Sequence, residues 1–308
     1  KYQEAYIYAT KVIADGHYPL ASDYREIFLA DNNTCKEIIW PLVQDGLRAQ
    51  SSAGTNFYVK AFVNGPMDEL YKTGVGSRGW GNVRAKVSLV DAFDADDVMF
   101  DGNDTWGNNK KDKRAQFMTA LPNQVKDTWD VNMDMTSTFT CGYGYIKWRN
   151  VTKEDELSAS GDAYTSIDFP LFRTADAYLM AAEAILRGAS GTKSEALGYV
   201  NEVRTRAYMS GKYAKNGVRS DVSGEIGANE LDLDFLLLER QKELASELIR
   251  RTDLIRFGKY TKGNNWDWKN GVRLGEDVDD KYNLFPIPES ELTNNPTLVQ
   301  NDGYKVIK

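Results

Sequence analysis

Between Phe169 and Ala207 the sequence repeats apolar residues at intervals of three and four, and many of them are small. Leu171, Ala175, Tyr178, Leu179, Ala182 and Leu186 fall on one face of a helix predicted to start at Phe169 and to stop at Gly188. Thr192 followed by Glu195 has the pattern of a capping box, and Ala196, Val200, Val203 and Ala207 form the next stripe. Alanines 175, 181, 182 and 184 let a neighbouring helix approach closely, so the two segments are expected to pair as a helical hairpin.

A third helix is predicted from about Asp232 to Phe257, with Leu233, Leu237, Leu244, Leu248 and Ile255 on one face. Burial of that stripe should hold it, because an exposed pair such as Glu247 with Arg251 adds only about 0.2 to 0.5 kcal/mol. Residues 1 to 15 carry Ala5, Ala9, Val12 and Ile13 on one helical face ahead of Gly16 and Pro19. Tyr24 to Ala30 is an apolar-led segment cut off by Asp31-Asn32-Asn33-Thr34, and Glu37 to Leu42 reads as a strand.

From there to about residue 165 the pattern changes to Gly, Asn, Asp, Ser and Thr with scattered aromatics, the signature of loops and short strands. Gly142 to Trp148 alternates like a half-exposed strand, and Asn103 to Arg114 reads as a polar surface excursion. Loops this long are either functional or disordered. The fold class that follows is mainly α, with helix pairs carrying a loop-rich, short-stranded region.

Composition removes several functions. A net charge of −7 repels polyanions, so no nucleic-acid partner is expected. No apolar run approaches the roughly 20 residues of a membrane-spanning helix, and the chain is expected to be soluble. The one histidine, His17, lies in the turn-like Gly16-His17-Tyr18-Pro19, which removes most imidazole-based catalysis. Cys35 and Cys141 form no Cys-x-x-Cys pair and read as small core residues. Phosphate-loop, dinucleotide and zinc-protease motifs are absent, so no cofactor is expected. Asp94/Asp96/Asp97, Asp277/Asp279/Asp280 and Asp31-Asn32-Asn33 read as solvated surface, with no metal site expected. Glycoside hydrolysis by two carboxylates stays open as a third reading, since sequence alone sets no carboxylate separation.

The aromatics are more informative. Seven Trp, seventeen Tyr and twelve Phe include many in polar, glycine-bearing context. Trp40, Trp148, Trp266 and Trp268 are expected in the core, whereas Trp106 and Trp129 are undecided. Trp80 stands in Gly76-Ser77-Arg78-Gly79-Trp80-Gly81-Asn82, where its indole is either buried or carried outward. Carried outward, it offers a plane to the apolar C–H face of a sugar, with Arg78 and Asn82 at hand for the hydroxyl rim.

Three ordered motifs then resemble the SusD/RagB family. Phe169-Pro170-Leu171-Phe172-Arg173 leading into Ala182-Glu183-Ala184 is the first. The second is Glu239-Arg240-x-x-Glu243-Leu244 followed by Arg251-x-Asp253-Leu254-Ile255-Arg256-Phe257-Gly258. The third is Phe285-Pro286-Ile287-Pro288 with Glu291-Leu292, Asn295-Pro296 and Gln300-Asn301-Asp302-Gly303-Tyr304. Similarity to the starch-utilisation branch extends through Leu29-Ala30-Asp31-Asn32, Gln44-Asp45-Gly46, Gly79-Trp80, Ile146-Lys147-Trp148 and Trp266-Asp267-Trp268-Lys269.

The resemblance implies a mainly α fold of tetratricopeptide-like helix pairs and a non-catalytic protein at the extracellular face of the outer membrane. Such a protein binds oligosaccharide, starch and malto-oligosaccharide being favoured, and delivers it to a SusC-like TonB-dependent transporter. Membrane attachment would come through an N-terminal lipid anchor outside this chain. Trp80 falls on an aromatic position of the family's starch-binding site, and a tyrosine that joins it there falls on Ser52. The other contacting groups belong to an N-terminal half that is expected to precede Lys1. Residues 1–30 are then a helical segment of the scaffold, 31–165 the glycan-binding region and 166–308 the C-terminal helical region. A peptide- or protein-binding helical-repeat scaffold is the alternative.

Overall fold

The computed structural model describes the chain except for residues 64–67, 69–70, 99–109, 119–141, 210–222, 264–265, 267–268, 273–274 and 306–308. Trp106, Trp129, Cys141 and Trp268 lie outside the described residues. In chain order the elements are α1 (Tyr2–Asp15), β1 (Ile38–Leu42), α2 (Thr55–Ala61), α3 (Val87–Val90), α4 (Ala95–Val98), β2 (Phe117–Met118), β3 (Gly144–Tyr145) and β4 (Phe169–Arg173). Then come α5 (Thr174–Leu186), α6 (Lys193–Met209), α7 (Leu233–Glu243), α8 (Arg250–Arg256) and α9 (Glu289–Asn294). The chain separates into two units, Lys1–Glu247 and Leu248–Lys308. No helix among the described residues is long and apolar enough to cross a membrane.

The helical hairpin is present as α5 and α6, and α1 also packs on α5. Ala175, Leu179, Ala182, Ala196, Val200 and Val203 are fully buried between α5, α6 and α7. Gly16, at φ 69°, ends α1 in the left-handed conformation that glycine adopts without steric cost. The capping box is made: Thr192 Oγ1 accepts from the Glu195 amide at 3.2 Å, and Glu195 Oε2 accepts from the Thr192 amide at 2.6 Å. Asp232 caps α7 by accepting from the Phe235 amide at 2.8 Å, the kind of contact worth about 1 kcal/mol.

Helical order begins at Thr174, not at Phe169. Residues 169–173 are instead β4, antiparallel to β1, with Leu42 opposite Phe169, Trp40 opposite Phe172 and Ile38 opposite Arg173. Pro170 explains the difference, because the residue before a proline is driven from α toward extended backbone. Pro41 stands opposite Pro170, and with two amide donors missing the ladder is irregular there. A register shift between Ile38 and Trp40 turns the indole outward, so Trp40 is 61 % exposed beside Phe172 and not in the core. Trp148 is buried as expected, stacked at 5.5 Å on Phe169, while Trp266 is half-buried.

The third helix is also divided. Ser246 (φ 61°) and Leu248 (φ 63°) take left-handed backbone conformations that end the helix between α7 and α8, and Leu248 is exposed. Glu247 is buried and not on an exposed helix face. It accepts from Arg173 at 2.7 and 2.8 Å and from Lys147, in an ion cluster that is buried throughout. Around Glu243 stand Arg173 (2.6 Å), Arg114 (3.2 Å) and Arg206; Glu239 joins Arg114 and Arg204 at 2.6 Å each. Asp112 holds Arg114 bidentately at 2.8 Å, and Glu37 bridges Arg173 (2.8 Å) and Arg206 (2.5 Å). The five carboxylates Glu37, Asp112, Glu239, Glu243 and Glu247 therefore face the five cations Arg114, Lys147, Arg173, Arg204 and Arg206. The cluster ties the loop-rich stretch, through Glu37, residues 112–114 and Lys147, to α6 and α7.

That cluster corrects two further expectations. Of the stretch 103–114, Asp112, Lys113 and Arg114 are buried and not a surface excursion, Lys110 is half-buried and Lys111 exposed, and 103–109 lie outside the described residues. Tyr143, Tyr145, Ile146, Lys147 and Trp148 are all buried, because both faces of this stretch are covered by aromatics and by the ion cluster. Asn32 is likewise a buried support: its side chain donates to Ile27 and Asp168 carbonyls at 2.7 and 2.8 Å and accepts from the Asp168 amide at 2.9 Å.

Candidate functional site

Trp80 owes its position to the end of a short helix. The last carbonyls of a helix lack intrahelical partners. In α2 those of Lys60 and Ala61 accept from the amides of Trp80 (2.8 Å), Asn82 (3.0 Å) and Val83 (2.9 Å). The helix itself is clamped to residues 163–167: Thr55 Oγ1 donates to the Ile167 carbonyl at 2.8 Å, and Lys60 Nζ donates to the Ala163 carbonyl. Burial, reinforced by the neighbouring Arg78 charge, lowers the pKa of Lys60, and Asp162 opposes that shift.

The loop leading to Trp80 is held by Asp68. Its carboxylate accepts from the amides of Thr73, Val75 and Gly76, each at 3.0 Å, and from the Thr73 hydroxyl at 2.5 Å. Gly74, at φ 76°, lies so close to Asn150 that a Cβ would sit 2.5 Å from its carbonyl oxygen. Of the two glycines flanking Trp80, Gly81 takes a left-handed conformation (φ 59°), while Gly79 at φ −66° is ordinary extended backbone.

The indole of Trp80 is 38 % exposed, and next to it stands Phe57 of α2, 44 % exposed, with ring centroids 6.1 Å apart and planes tilted by 60°. Phe57 meets Tyr58 edge-on at 5.7 Å, Tyr58 stacks on Trp148 at 5.4 Å, and Trp148 stacks on Phe169. A ladder of rings thus runs from the core to the surface pair and fixes its orientation. Arg78 is exposed and paired through Nε with Asp162 Oδ1 at 3.0 Å. The Asn82 side chain and the Trp80 indole N–H have no hydrogen-bond partner among the described residues. Two tilted aromatic faces can receive the C–H face of a sugar, and Arg78 and Asn82, exposed two residues to either side of Trp80, carry groups that can bond its hydroxyls.

The structure brings Arg78, Trp80 and Asn82 onto one turn at the end of α2. Ser52 is exposed in the loop before α2 and supplies no ring. Phe57 went unnoticed in the sequence. Its signal is an aromatic in Thr55-Asn56-Phe57-Tyr58-Val59-Lys60-Ala61 that falls off the face formed by Thr55, Asn56, Val59 and Lys60, all buried.

His17 is exposed and bonded to Asp15 at 2.8 Å. Among the described residues no group of three or more His, Cys, Asp or Glu is placed to hold a metal ion. Asp97 is buried and accepts from the amides of Lys111 (2.6 Å) and Asp112 (3.1 Å), with burial raising its pKa. Asp277 and Asp279 accept from the amides of Gly263 and Lys281, and Asp280 pairs with Thr261 and Lys262. Cys35 is half-buried, its thiol pushed up to about 12 by burial and by Glu37.

The model of the SusD family matches residues 36–304. The starch-binding protein SusD of Bacteroides thetaiotaomicron is 32 % identical across 99 % of this chain, which covers 56 % of that protein. SusD-like protein P25 of Formosa agariphila is 26 % identical across 95 % of the chain and 53 % of its own length. The chain therefore spans about half the length of these curated relatives. Among solved structures, surface glycan-binding protein A of Bacteroides thetaiotaomicron in complex with laminarihexaose superposes with a TM-score of 0.61 at 22 % identity. That match covers 97 % of this chain and 59 % of the other. A SusD-like protein of Bacteroides fragilis gives a TM-score of 0.62 at 20 % identity, over 98 % and 62 %.

Proposed function

Because the chain belongs to the SusD family, we propose that it forms part of a non-catalytic glycan-binding protein whose ligand lies across Trp80 and Phe57. The observation that carries this reading is the exposed, tilted ring pair, joined through half-buried Tyr58 to the buried Trp148 and flanked in sequence by Arg78 and Asn82. Residues 31–165 are the binding region, and α1, α5, α6 and α7 are its scaffold. Malto-oligosaccharide is the favoured ligand, on the similarity to the starch-binding SusD. The whole protein would work at the extracellular face of the outer membrane, tethered by an N-terminal lipid and handing oligosaccharide to a SusC-like TonB-dependent transporter.

A single open site of this kind binds a short oligosaccharide near millimolar, about −4 kcal/mol, and gains on a polymer by repeated engagement. Affinity electrophoresis through gels containing amylose, laminarin or neither tests the ligand. Retardation by amylose that Trp80→Ala abolishes is expected. Retardation by laminarin alone would replace α-glucan with β-glucan at the same site; equal mobility in all gels would remove the glycan reading.

A further inference from the structure

The unit Leu248–Lys308 contains a cavity of about 520 Å³, within the range of small-molecule sites, whose walls include Tyr260, Trp266, Lys269, Tyr282, Phe285 and Tyr304. Every one of these residues belongs to this unit, and none takes part in the Trp80 site. We propose that this cavity is a second saccharide-binding site, and that it takes a sugar carrying a carboxylate, of the uronic acid class.

The rings are fixed before any ligand arrives. Trp266 Nε1 donates to the Tyr260 carbonyl at 2.9 Å, and the two rings meet at 5.2 Å and 75°. Tyr304 Oη lies 2.8 Å from the Leu284 carbonyl, and its ring meets Tyr282 at 6.5 Å and 82°. The Arg251 guanidinium stands 4.9 Å from the Tyr260 ring and 4.3 Å from the Phe285 ring, while its Nη2 donates to the carbonyls of Tyr282 (3.0 Å) and Asn283 (3.1 Å). Aromatic planes preorganised in this way lose little entropy on binding.

The cavity is not only apolar. The hydroxyls of Tyr260 and Tyr282 and the ammonium of Lys269 have no hydrogen-bond partner among the described residues. Lys269 is exposed, 5.8 Å from the Tyr282 ring, and among the described residues of the cavity wall it is the charged one. A pyranose sets its C–H face on the rings and its hydroxyls toward the two phenols, and a carboxylate on the ring pairs with Lys269. Tyr282 and Phe285, 42 % and 72 % exposed, leave the cavity open to a ligand.

The test uses the whole 308-residue chain with Trp80→Ala in place and its tryptophans labelled with ¹⁵N, titrated separately with sodium glucuronate, maltotriose and a proline-rich peptide. A saturable shift of the Trp266 indole resonance with glucuronate is expected. Lys269→Met should weaken it at least tenfold, and Tyr282→Phe, which removes only a hydroxyl, several-fold. Equal response to maltotriose and glucuronate, with no effect of Lys269→Met, would overturn the acidic-sugar assignment. A response to the peptide alone, or to none of the three, would overturn the saccharide site. Because Trp80 is absent throughout, either failure leaves the Trp80 reading untouched.

Discussion

Glu243 and Lys147 lie in the same buried cluster and are shifted in ways that make different predictions. Burial by itself raises a carboxyl pKa, but Arg206, Arg173 and Arg114 outweigh it and hold Glu243 well below the ordinary carboxylate range. A depressed folded-state value contributes stability above the unfolded value, near 4.5, and loses it as pH falls. Thermal melts from pH 7 to pH 3 should therefore show a steep fall below about pH 4.5, and Glu243→Gln should start less stable at pH 7 and lose less on acidification. A Glu243→Gln curve parallel to the parent's would contradict this.

Lys147 is different. Burial lowers its ammonium to about 8 despite Glu247, whereas Arg173 is raised above its ordinary value because Glu247, Glu243 and Glu37 overcome the cost of burial. Arg173→Met should cost about 3 to 5 kcal/mol, the usual penalty for leaving buried charges without a partner. Lys147→Met should cost clearly less, since Glu247 keeps both bonds to Arg173. Urea denaturation compares the two; equal losses would mean that the cluster acts as an undivided unit.

Elements were legible where one period governed them. The stripes of α5 and α6, the Thr192/Glu195 box and the Gly16 stop are local features, and local features survive folding. The failures came where a distant partner decided the outcome. Pro170 turns only the residue before it toward extended backbone, and pairing with β1 carries that conformation on through Arg173. The leucine period continues through residues 244–249, yet the backbone there breaks while Glu247 is held by Arg173 and Lys147. Left-handed backbone costs a non-glycine residue about 1 to 2 kcal/mol, and the Leu248 side chain is 74 % exposed. Leu248→Gly should therefore stabilise the chain by about 0.5 to 1 kcal/mol after glycine's greater unfolded-state freedom is counted, read as a higher urea midpoint. A lower midpoint would mean that the side chain supplies a contact.

For the molecule as a whole, family and fold class were readable because three motifs in order span Phe169 to Tyr304. The buried charge cluster was not, since it joins Glu37, Asp112, Lys147, Arg173, Arg206 and Glu243 from six separate stretches, and no sequence period marks such a meeting. The candidate site was half legible. Arg78, Trp80 and Asn82 are neighbours in sequence, but Phe57 joins them only because α2 offers its terminal carbonyls to residues 80–83. The most direct test is calorimetric titration of the chain and of Trp80→Ala, Phe57→Ala and Trp40→Ala with maltoheptaose. Affinity at least tenfold weaker, about 1.4 kcal/mol or more, in each of the first two variants and unchanged in Trp40→Ala is the result predicted. Unchanged binding in Trp80→Ala and Phe57→Ala, or a loss confined to Trp40→Ala, would contradict the placement of the ligand on the Trp80–Phe57 pair.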